Sequence, residues 1–232
     1  MKNKLKGMIL NDSNNIVSII TFKSSNVKTG DMCQVWILRN DMDPVEAIKQ
    51  NKDNLICFDC PHREKRSCYV NAGQAPLQVY KSYKKGIYES LDLNKLSQAL
   101  KFKNVRFGAY GEPILIPLKI VKFIINSAMS YTGYSHQWNN PKYKDYSPLF
   151  MASIDSPKQL EQTIKNGLRS FRVSSNNNIY DNEVICPNIT KGITCNVCTL
   201  CDNQGKHKNA KSIVVPVHGT KGKINNFNLI TI

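Results

Sequence analysis

The sequence lacks the long apolar segments that mark exported and membrane proteins. Met1–Lys6 is basic, but no apolar core of about 7–15 residues follows it. No run approaches the roughly 18 apolar residues that a membrane-spanning helix needs. These absences argue against a signal peptide and a membrane partner, and we therefore expect a cytoplasmic protein.

Several catalytic signatures are missing as well. No serine lies in the strained elbow motif of the serine hydrolases. No pair of carboxylates is arranged for glycosidic or proteolytic work, and the H-x-E and P-C-x-x-C elements of the zinc deaminases do not occur. The chain has no internal repeat either, which argues against a solenoid or propeller.

Acidic residues are scarce relative to basic ones. The chain has 17 Asp and Glu against 32 Lys and Arg, a formal net charge of +15. Such a balance favours an anionic substrate, including a nucleotide or nucleic acid. The joint abundance of Lys, Asn and Ile is also what an AT-rich genome produces, so the charge alone leaves the partner open.

Cysteine, in contrast, is abundant, and three of the eight fall in the basic loop "CFDCPHREKRSCY". In a reducing compartment this content favours metal or redox chemistry over disulfides. Cys57, Cys60 and Cys68 are spaced C-x2-C-x7-C. Three thiolates can hold three irons of a [4Fe–4S] cluster and leave the fourth iron open. A closed zinc site would need a fourth ligand, either His62 or Cys33.

A second cysteine group lies in "CPNITKGITCNVCTLC". Its members are Cys186, Cys195, Cys198 and Cys201. The run C-x2-C-x2-C with a separate Cys-Pro is typical of bacterial ferredoxin-type clusters, whereas zinc usually takes two separated C-x2-C pairs. The spacing favours iron–sulfur over zinc, and four ligands predict a closed, structural or electron-transferring centre.

The hydrophobic pattern predicts strands that alternate with helices. Strands are predicted at 16–22, 33–38, 105–110, 132–138, 149–154, 170–173, 183–186 and 213–217, and "NLIC" (54–57) is a candidate first barrel strand. Helices are predicted at 43–51, 75–88, 117–129 and 156–167. This order predicts an α/β fold: a parallel, complete or partial β/α barrel with irregular cysteine-rich metal-binding loops.

Composition does not change sharply along the chain, which favours a single domain over 1–232. Within it we expect an N-terminal elaboration over 1–54 and a C-terminal tail over 219–232. The barrel-like core between them, 55–218, includes the cysteine cluster 186–201.

Unusual polar residues follow the predicted strands, where chemistry collects in parallel α/β folds. They are Glu112, His136, Asp155, Arg172, Cys186 and His218. We predict His136, Arg172 and His218 as catalytic residues: the histidines for proton transfer, and the arginine to bind a carboxylate or phosphate. Tyr134 and Trp138 are candidates for stacking on a base. The alternative for His136 and His218 is a hydrogen-bonded core histidine.

The stretch "GAYGEPILIP" (108–117), a strand ending in Gly-Glu-Pro before a helix, resembles the second-strand motif of radical S-adenosylmethionine enzymes. The resemblance spans roughly 55–218 and implies a partial β/α barrel. It implies an open [4Fe–4S] cluster on Cys57, Cys60 and Cys68, with an auxiliary cluster on the four later cysteines. It also implies S-adenosylmethionine bound by Gly111, Glu112 and Pro113. The usual loop in that superfamily is C-x3-C-x2-C, so the C-x2-C-x7-C spacing departs from it.

The segments "CPHR…CYV", "GYSHQW" and "SFRV" also resemble uncharacterised proteins of bacteriophages and bacteria. A phage-encoded enzyme of this kind would act in the host cytoplasm, on a nucleotide or nucleic acid. The alternative function is a zinc-stabilised, basic nucleic-acid-binding protein, such as a replication or regulatory factor. A barrel that has lost its catalytic metal is a third reading.

Overall fold

The computed structural model describes residues 5–176, 178–203 and 205–229, so the ends of the predicted elaboration and tail, 1–4 and 230–232, lie outside it. Its strands are β1 (Gly7–Ser13), β2 (Ile16–Thr21), β3 (Cys33–Arg39), β4 (Glu89–Ser90), β5 (Asn104–Tyr110), β6 (Ser130–Thr132), β7 (Tyr134–Ser135), β8 (Met151–Ile154), β9 (Ser170–Ser174), β10 (Glu183–Ile185) and β11 (Ser212–Pro216). They form two sheets. The first has the order β4-β1-β2-β3-β5-β6, and the second has the order β10-β11-β9-β8-β7.

Helices connect most of these strands. They are α1 (Pro44–Lys49), α2 (Asn54–Cys57), α3 (Pro61–Glu64), α4 (Ala75–Lys84), α5 (Leu93–Leu100), α6 (Leu118–Ser127), α7 (Pro157–Lys165), α8 (Pro187–Lys191), α9 (Cys195–Cys198) and α10 (Lys221–Asn228). Short 3₁₀ turns cover Pro113–Leu115 and Pro141–Tyr143. Within the described ranges no helix has both the length and the apolar character to cross a bilayer.

From β3 onward every strand pair is parallel. β3 pairs with β5 and β5 with β6, while β8 pairs with β7 and β9, and β11 with β9 and β10. Only Gly133 separates β6 from β7, so one short segment contributes a strand to each sheet. A Cβ on Gly133 would lie 2.7 Å from the Phe150 ring, which explains the glycine there. The predicted α/β class with parallel strands is confirmed.

The prediction of a strand at "NLIC" is wrong. These residues form the single helical turn α2, in which the Asp53 carbonyl accepts hydrogen bonds from the backbone N–H groups of Ile56 and Cys57. A four-residue apolar run does not distinguish a strand from a helical turn. The strand that precedes this turn is β3, within the segment predicted as an elaboration. Strand β1, which is antiparallel to β2 and parallel to β4, was not predicted.

Predicted helix ends are confirmed where capping residues mark them. The Asp43 side chain accepts hydrogen bonds from the backbone N–H groups of Val45 and Glu46 at the start of α1. Ser156 Oγ accepts from the N–H of Gln159 at the start of α7. The Gln159 side chain in turn accepts a 2.7 Å hydrogen bond from the N–H of Asp155. The cap of α7 thereby fixes the end of β8, where a candidate site residue lies.

Cys33 is a fully buried thiol at the start of β3. Burial raises its pKa to about 12 from an ordinary value of 9.0, because the thiolate is poorly solvated there. The neutral thiol therefore adds stability that is fully present below about pH 9 and is lost as pH rises towards about 12. We expect the free energy of unfolding to fall over this interval, and less steeply in Cys33→Ala. Urea denaturation of both proteins at several pH values measures the difference; identical slopes would contradict it.

Candidate functional site

The carboxyl ends of three parallel strands bring acidic and imidazole groups together. Glu112 follows β5, His136 follows β7 and Asp155 follows β8. His62, from the early cysteine loop, joins them: its Nε2 lies 2.7 Å from Asp155 Oδ1. His136 Nε2 lies 3.5 Å from Asp155 Oδ2, and its backbone N–H donates a 3.0 Å hydrogen bond to Glu112 Oε1. Three strand-end residues thus meet one residue from the cysteine loop.

The other atoms of these side chains are also held. His62 Nδ1 lies 2.8 Å from Ser67 Oγ, and His136 Nδ1 lies 3.5 Å from Glu112 Oε1. Ser135 Oγ donates a 2.7 Å hydrogen bond to the second Glu112 oxygen. Both rings therefore keep a fixed orientation, with Nε2 turned towards Asp155.

Neighbouring charges set the protonation of this group. Burial lowers the pKa of His136, but the Cys60 thiolate and the hydrogen bonds to Asp155, Cys60 and Glu112 outweigh it and hold that pKa well above its usual value. Burial alone raises the pKa of Asp155, whereas hydrogen bonds from His136 and His62 hold it below its usual range. These contacts therefore favour the carboxylate form of Asp155 and a proton on His136.

The early cysteines form one group beside these residues. Cys57 ends α2, Cys60 precedes α3, and Cys68 lies in the loop that follows α3. Burial, then the charges of Cys68 and Cys60, raise the pKa of Cys57 well above normal, and Cys60 likewise acts on Cys68. Cys60 Sγ lies 4.0 Å from His136 Nε2. Thiols that raise one another's pKa favour a cation, which removes their protons on binding.

The Gly-Glu-Pro segment packs directly against this loop. The N–H of Glu112 donates a 2.8 Å hydrogen bond to the Ile56 carbonyl, next to Cys57. Gly111 has φ +77°, and a Cβ there would lie 2.7 Å from the Ile37 carbonyl oxygen on β3. Only glycine allows this close approach of β3 and the segment that follows β5.

The fourth ligands considered for zinc are engaged elsewhere. His62 directs its Nε2 at Asp155 and its Nδ1 at Ser67. Cys33 lies at the start of β3, while the early group gathers near the carboxyl end of that strand, where Gly111 meets Ile37. Neither residue closes a site on the three early thiols in this arrangement.

The Tyr110 hydroxyl is a buried group without a hydrogen-bond partner beside the early thiols. Burial, then the charges of Cys57, Asp53 and Cys68, raise its pKa. A donor in this position fits an acceptor that is bound between the thiols. Because an unsatisfied buried hydroxyl costs about 1–3 kcal/mol, Tyr110→Phe should leave metal-free protein as stable as wild type or more so. Urea denaturation of the metal-free proteins measures this, and a clear loss of stability would contradict it.

The late cysteines form a second group about a different loop. All four line one pocket together with residues of β6 and β7. Burial, then the charges of Cys195, Cys186 and Cys198, raise the pKa of Cys201 well above its usual value. The four cysteines thus share one pocket and influence one another's charge.

The N-terminal loop "SNVKTGD" positions this second group. The N–H of Cys195 donates a 3.0 Å hydrogen bond to the Lys28 carbonyl, and the N–H of Asn196 donates a 2.9 Å bond to the Thr29 carbonyl. The loop itself is fixed by Asn26, whose Oδ1 accepts from the N–H groups of Lys28 and Thr29. This polar loop therefore serves as a docking segment for the late cysteines.

Two arginine side chains, half-buried Arg106 and buried Arg169, face the second group. The charge of Arg106 lowers the pKa of Cys195, and that of Arg169 lowers the pKa of Cys201, although burial outweighs both. The Nε atoms of both arginines are buried without a hydrogen-bond partner. Free donors beside four thiols suit a centre with net negative charge and additional acceptor atoms.

The remaining predicted residues lie outside these groups or at their edge. Arg172 pairs with Glu183 inside the protein. His218 is exposed and stacks on Tyr69, the residue after Cys68, at a ring distance of 4.5 Å. Trp138 is buried in a small core cluster, and its stacking on a base stays a prediction. The catalytic roles of Arg172 and His218 stay predictions.

Sequence reasoning considered His62 only as a fourth zinc ligand, and it missed the positions of Tyr110 and Arg106. His62 lies between two cysteines of one loop, and Tyr110 directly precedes Gly-Glu-Pro. Their positions next to these motifs are the sequence feature that could have indicated a place in the site. Comparison with known proteins adds no further assignment: the chain matches no protein-family model, no curated protein and no solved structure.

Proposed function

We propose that this chain is an iron–sulfur enzyme of the radical S-adenosylmethionine type, built on a partial β/α barrel. Cys57, Cys60 and Cys68 would hold an open [4Fe–4S] cluster, and the four late cysteines would hold a closed auxiliary cluster. One observation carries the proposal. The three early thiols gather where the parallel strands end, directly against the Gly-Glu-Pro segment.

The spacing of the sulfurs supports clusters over single zinc ions. Thiolates on one tetrahedral zinc lie about 3.8 Å apart, given Zn–S bonds of about 2.3 Å. Among the described residues, His62, His136 and Asp155 have ligand atoms that all lie within 4.8 Å of one another. This group contains no cysteine. No three cysteine sulfurs of the described residues meet this limit, an arrangement compatible with thiolates that bind different irons.

The residues of the chain would have distinct roles around the open cluster. A reduced cluster held by Cys57, Cys60 and Cys68 would supply the one electron for reductive cleavage of bound S-adenosylmethionine. The backbone of Gly111, Glu112 and Pro113 would hold the amino group of the cofactor. Tyr110 would donate its free hydroxyl hydrogen bond to the cluster region. His136, next to Cys60, would contact the substrate.

An anionic substrate agrees with the charge of the chain. The net charge of +15 favours a nucleotide or nucleic acid over a cationic or apolar molecule. Lys28 and His218, whose Nζ and Nε2 atoms are 3.0 Å apart, lie near the early loop through the contact of His218 with Tyr69. They provide hydrogen-bond donors for phosphate groups at this edge of the site.

Anaerobic purification and metal analysis test the proposal. Brown protein with a broad band at about 400 nm and about eight iron atoms per chain is the expected result. Reduction in the presence of S-adenosylmethionine should then release methionine and 5′-deoxyadenosine. Colourless protein with two equivalents of zinc would overturn the proposal and support a zinc-stabilised nucleic-acid-binding protein.

A further inference from the structure

The group His62, His136 and Asp155 has the composition and the geometry of a metal site. Each offers one ligand atom, and these atoms all lie within 4.8 Å of one another. The two carboxylate oxygens of Asp155 face different rings, Oδ1 at 2.7 Å from His62 and Oδ2 at 3.5 Å from His136. Neighbouring ligands of an octahedral ion with bonds of about 2.1 Å lie about 3 Å apart. The observed separations bracket that value.

The groups that hold the second ring nitrogens of these histidines are also arranged as in metal centres. A metal-binding histidine normally has its second ring nitrogen fixed by a carboxylate, a hydroxyl or a carbonyl group. His136 Nδ1 lies 3.5 Å from Glu112, and His62 Nδ1 lies 2.8 Å from Ser67. Both Nε2 atoms face Asp155, and His136 Nε2 also lies 3.2 Å from Ser153 Oγ, so an ion bound here would replace these hydrogen bonds. Phe227, fully buried, stacks on the His62 ring at 5.4 Å and further restricts its movement.

The local charge favours a cation at this point. Glu112 and Asp155 are buried carboxyl groups, and the Cys60 thiol lies 4.0 Å from His136 Nε2. A divalent cation bound between the rings and Asp155 would balance this negative charge.

We propose that His62, His136 and Asp155 bind a mononuclear divalent cation of the Mn²⁺ or Fe²⁺ class. Two imidazoles and one carboxylate leave further coordination positions open to water or to an oxygen atom of a substrate. The proposed ligands include no sulfur, although the site adjoins the early cysteine group, with Cys60 Sγ 4.0 Å from His136 Nε2. A phosphate or hydroxyl oxygen of the anionic substrate is the chemical class that would bind there.

Titration with Mn²⁺, followed by the loss of the electron paramagnetic resonance signal of the free ion, tests this site. Mn²⁺ prefers nitrogen and oxygen ligands to thiolates, so it reports on this group and not on vacant cysteines. We expect about one Mn²⁺ per full-length chain, and at least tenfold weaker binding in Asp155→Asn. Glu112→Gln, which changes only the orienting carboxylate, should weaken binding about 10- to 100-fold.

The exposed residue Asp145 provides a matched control, since Asp145→Asn removes the same charge away from the site. His62→Gln replaces Asp155→Asn as the test if the latter fails to fold by circular dichroism. Absence of Mn²⁺ binding in wild type, or binding unchanged by the ligand substitutions, would overturn the site. Iron and sulfide measured in the same samples keep the two proposals apart, because iron-free protein that binds Mn²⁺ would refute only the clusters.

Discussion

Cys68→Ala protein is expected to lose cleavage of S-adenosylmethionine completely while keeping its fold. A four-iron cluster with two protein thiolates instead of three is poorly held, and the open iron that chelates the cofactor goes with it. Cys68 lies in a loop after α3, outside both sheets, and its removal breaks no ladder hydrogen bond. Iron should fall from about eight to about four atoms per chain, with an unchanged far-ultraviolet circular dichroism spectrum.

Two other cysteine variants serve as controls for the iron content and cleavage activity of Cys68→Ala. Cys33→Ala removes a thiol that belongs to neither group, so its iron content and cleavage activity should match wild type. Cys198→Ala should lose the other half of the iron, because it breaks the late group. Unfolding of the early loop region in Cys68→Ala would instead indicate a structural zinc ion. Cleavage that survives in this variant would refute the open cluster.

Local patterns explain what could be predicted from the sequence. The α/β class follows from β-branched runs that alternate with amphipathic, capped helices, and these features depend on residues a few positions apart. Ser156, Pro157 and Gly167 mark α7 correctly for this reason. Parallel strands then require their carboxyl ends to share one edge, which is why Glu112, His136 and Asp155 could be expected near one another.

Long-range pairings explain what could not be predicted. His62 and Asp155 are 93 residues apart, and no local signal joins a histidine in a cysteine loop to an aspartate after a strand. Likewise, nothing in "SNVKTGD" indicates that its backbone carbonyl groups accept hydrogen bonds from the late cysteine loop, which lies about 170 residues later in the chain. Such contacts depend on how helices, strands and loops pack together, and the sequence pattern of a single element does not predict them.

Arg172 shows a different limit of prediction from the sequence, which concerns the identity of a side chain's binding partner. Its position in β9 near the strand end was predicted, and so was its readiness to bind a carboxylate. The carboxylate that it binds in the structure belongs to Glu183, at 2.7 Å and 2.6 Å, and not to a substrate. The guanidinium also donates to the Asn178 carbonyl and lies 5.0 Å from the Tyr180 ring. Residue type and position alone do not distinguish an internal partner from an external one.

Glu183→Ala should therefore be among the most destabilising single changes in the chain, at about 3–5 kcal/mol. The side chains of Arg172 and Glu183 are 5% and 0% exposed, so removal of the carboxylate leaves a buried, unpaired guanidinium. The N–H of Tyr180 loses its acceptor on Glu183 as well. Since domains of this kind are stable by only about 5–15 kcal/mol, urea denaturation should show a large fall in midpoint. A loss below about 1 kcal/mol would contradict a structural ion pair.

The double variant Arg172→Met/Glu183→Leu separates a structural role from a catalytic one. Replacing both partners by apolar side chains of similar volume removes the unpaired charge, so most of the lost stability should return. About 1 kcal/mol should stay lost, because the Tyr180 N–H still lacks its acceptor. If Arg172 serves only the fold, cofactor cleavage and substrate turnover return together with stability. A stable double variant that cleaves the cofactor but does not turn over substrate would show that the guanidinium also binds substrate, as its strand-end position predicts.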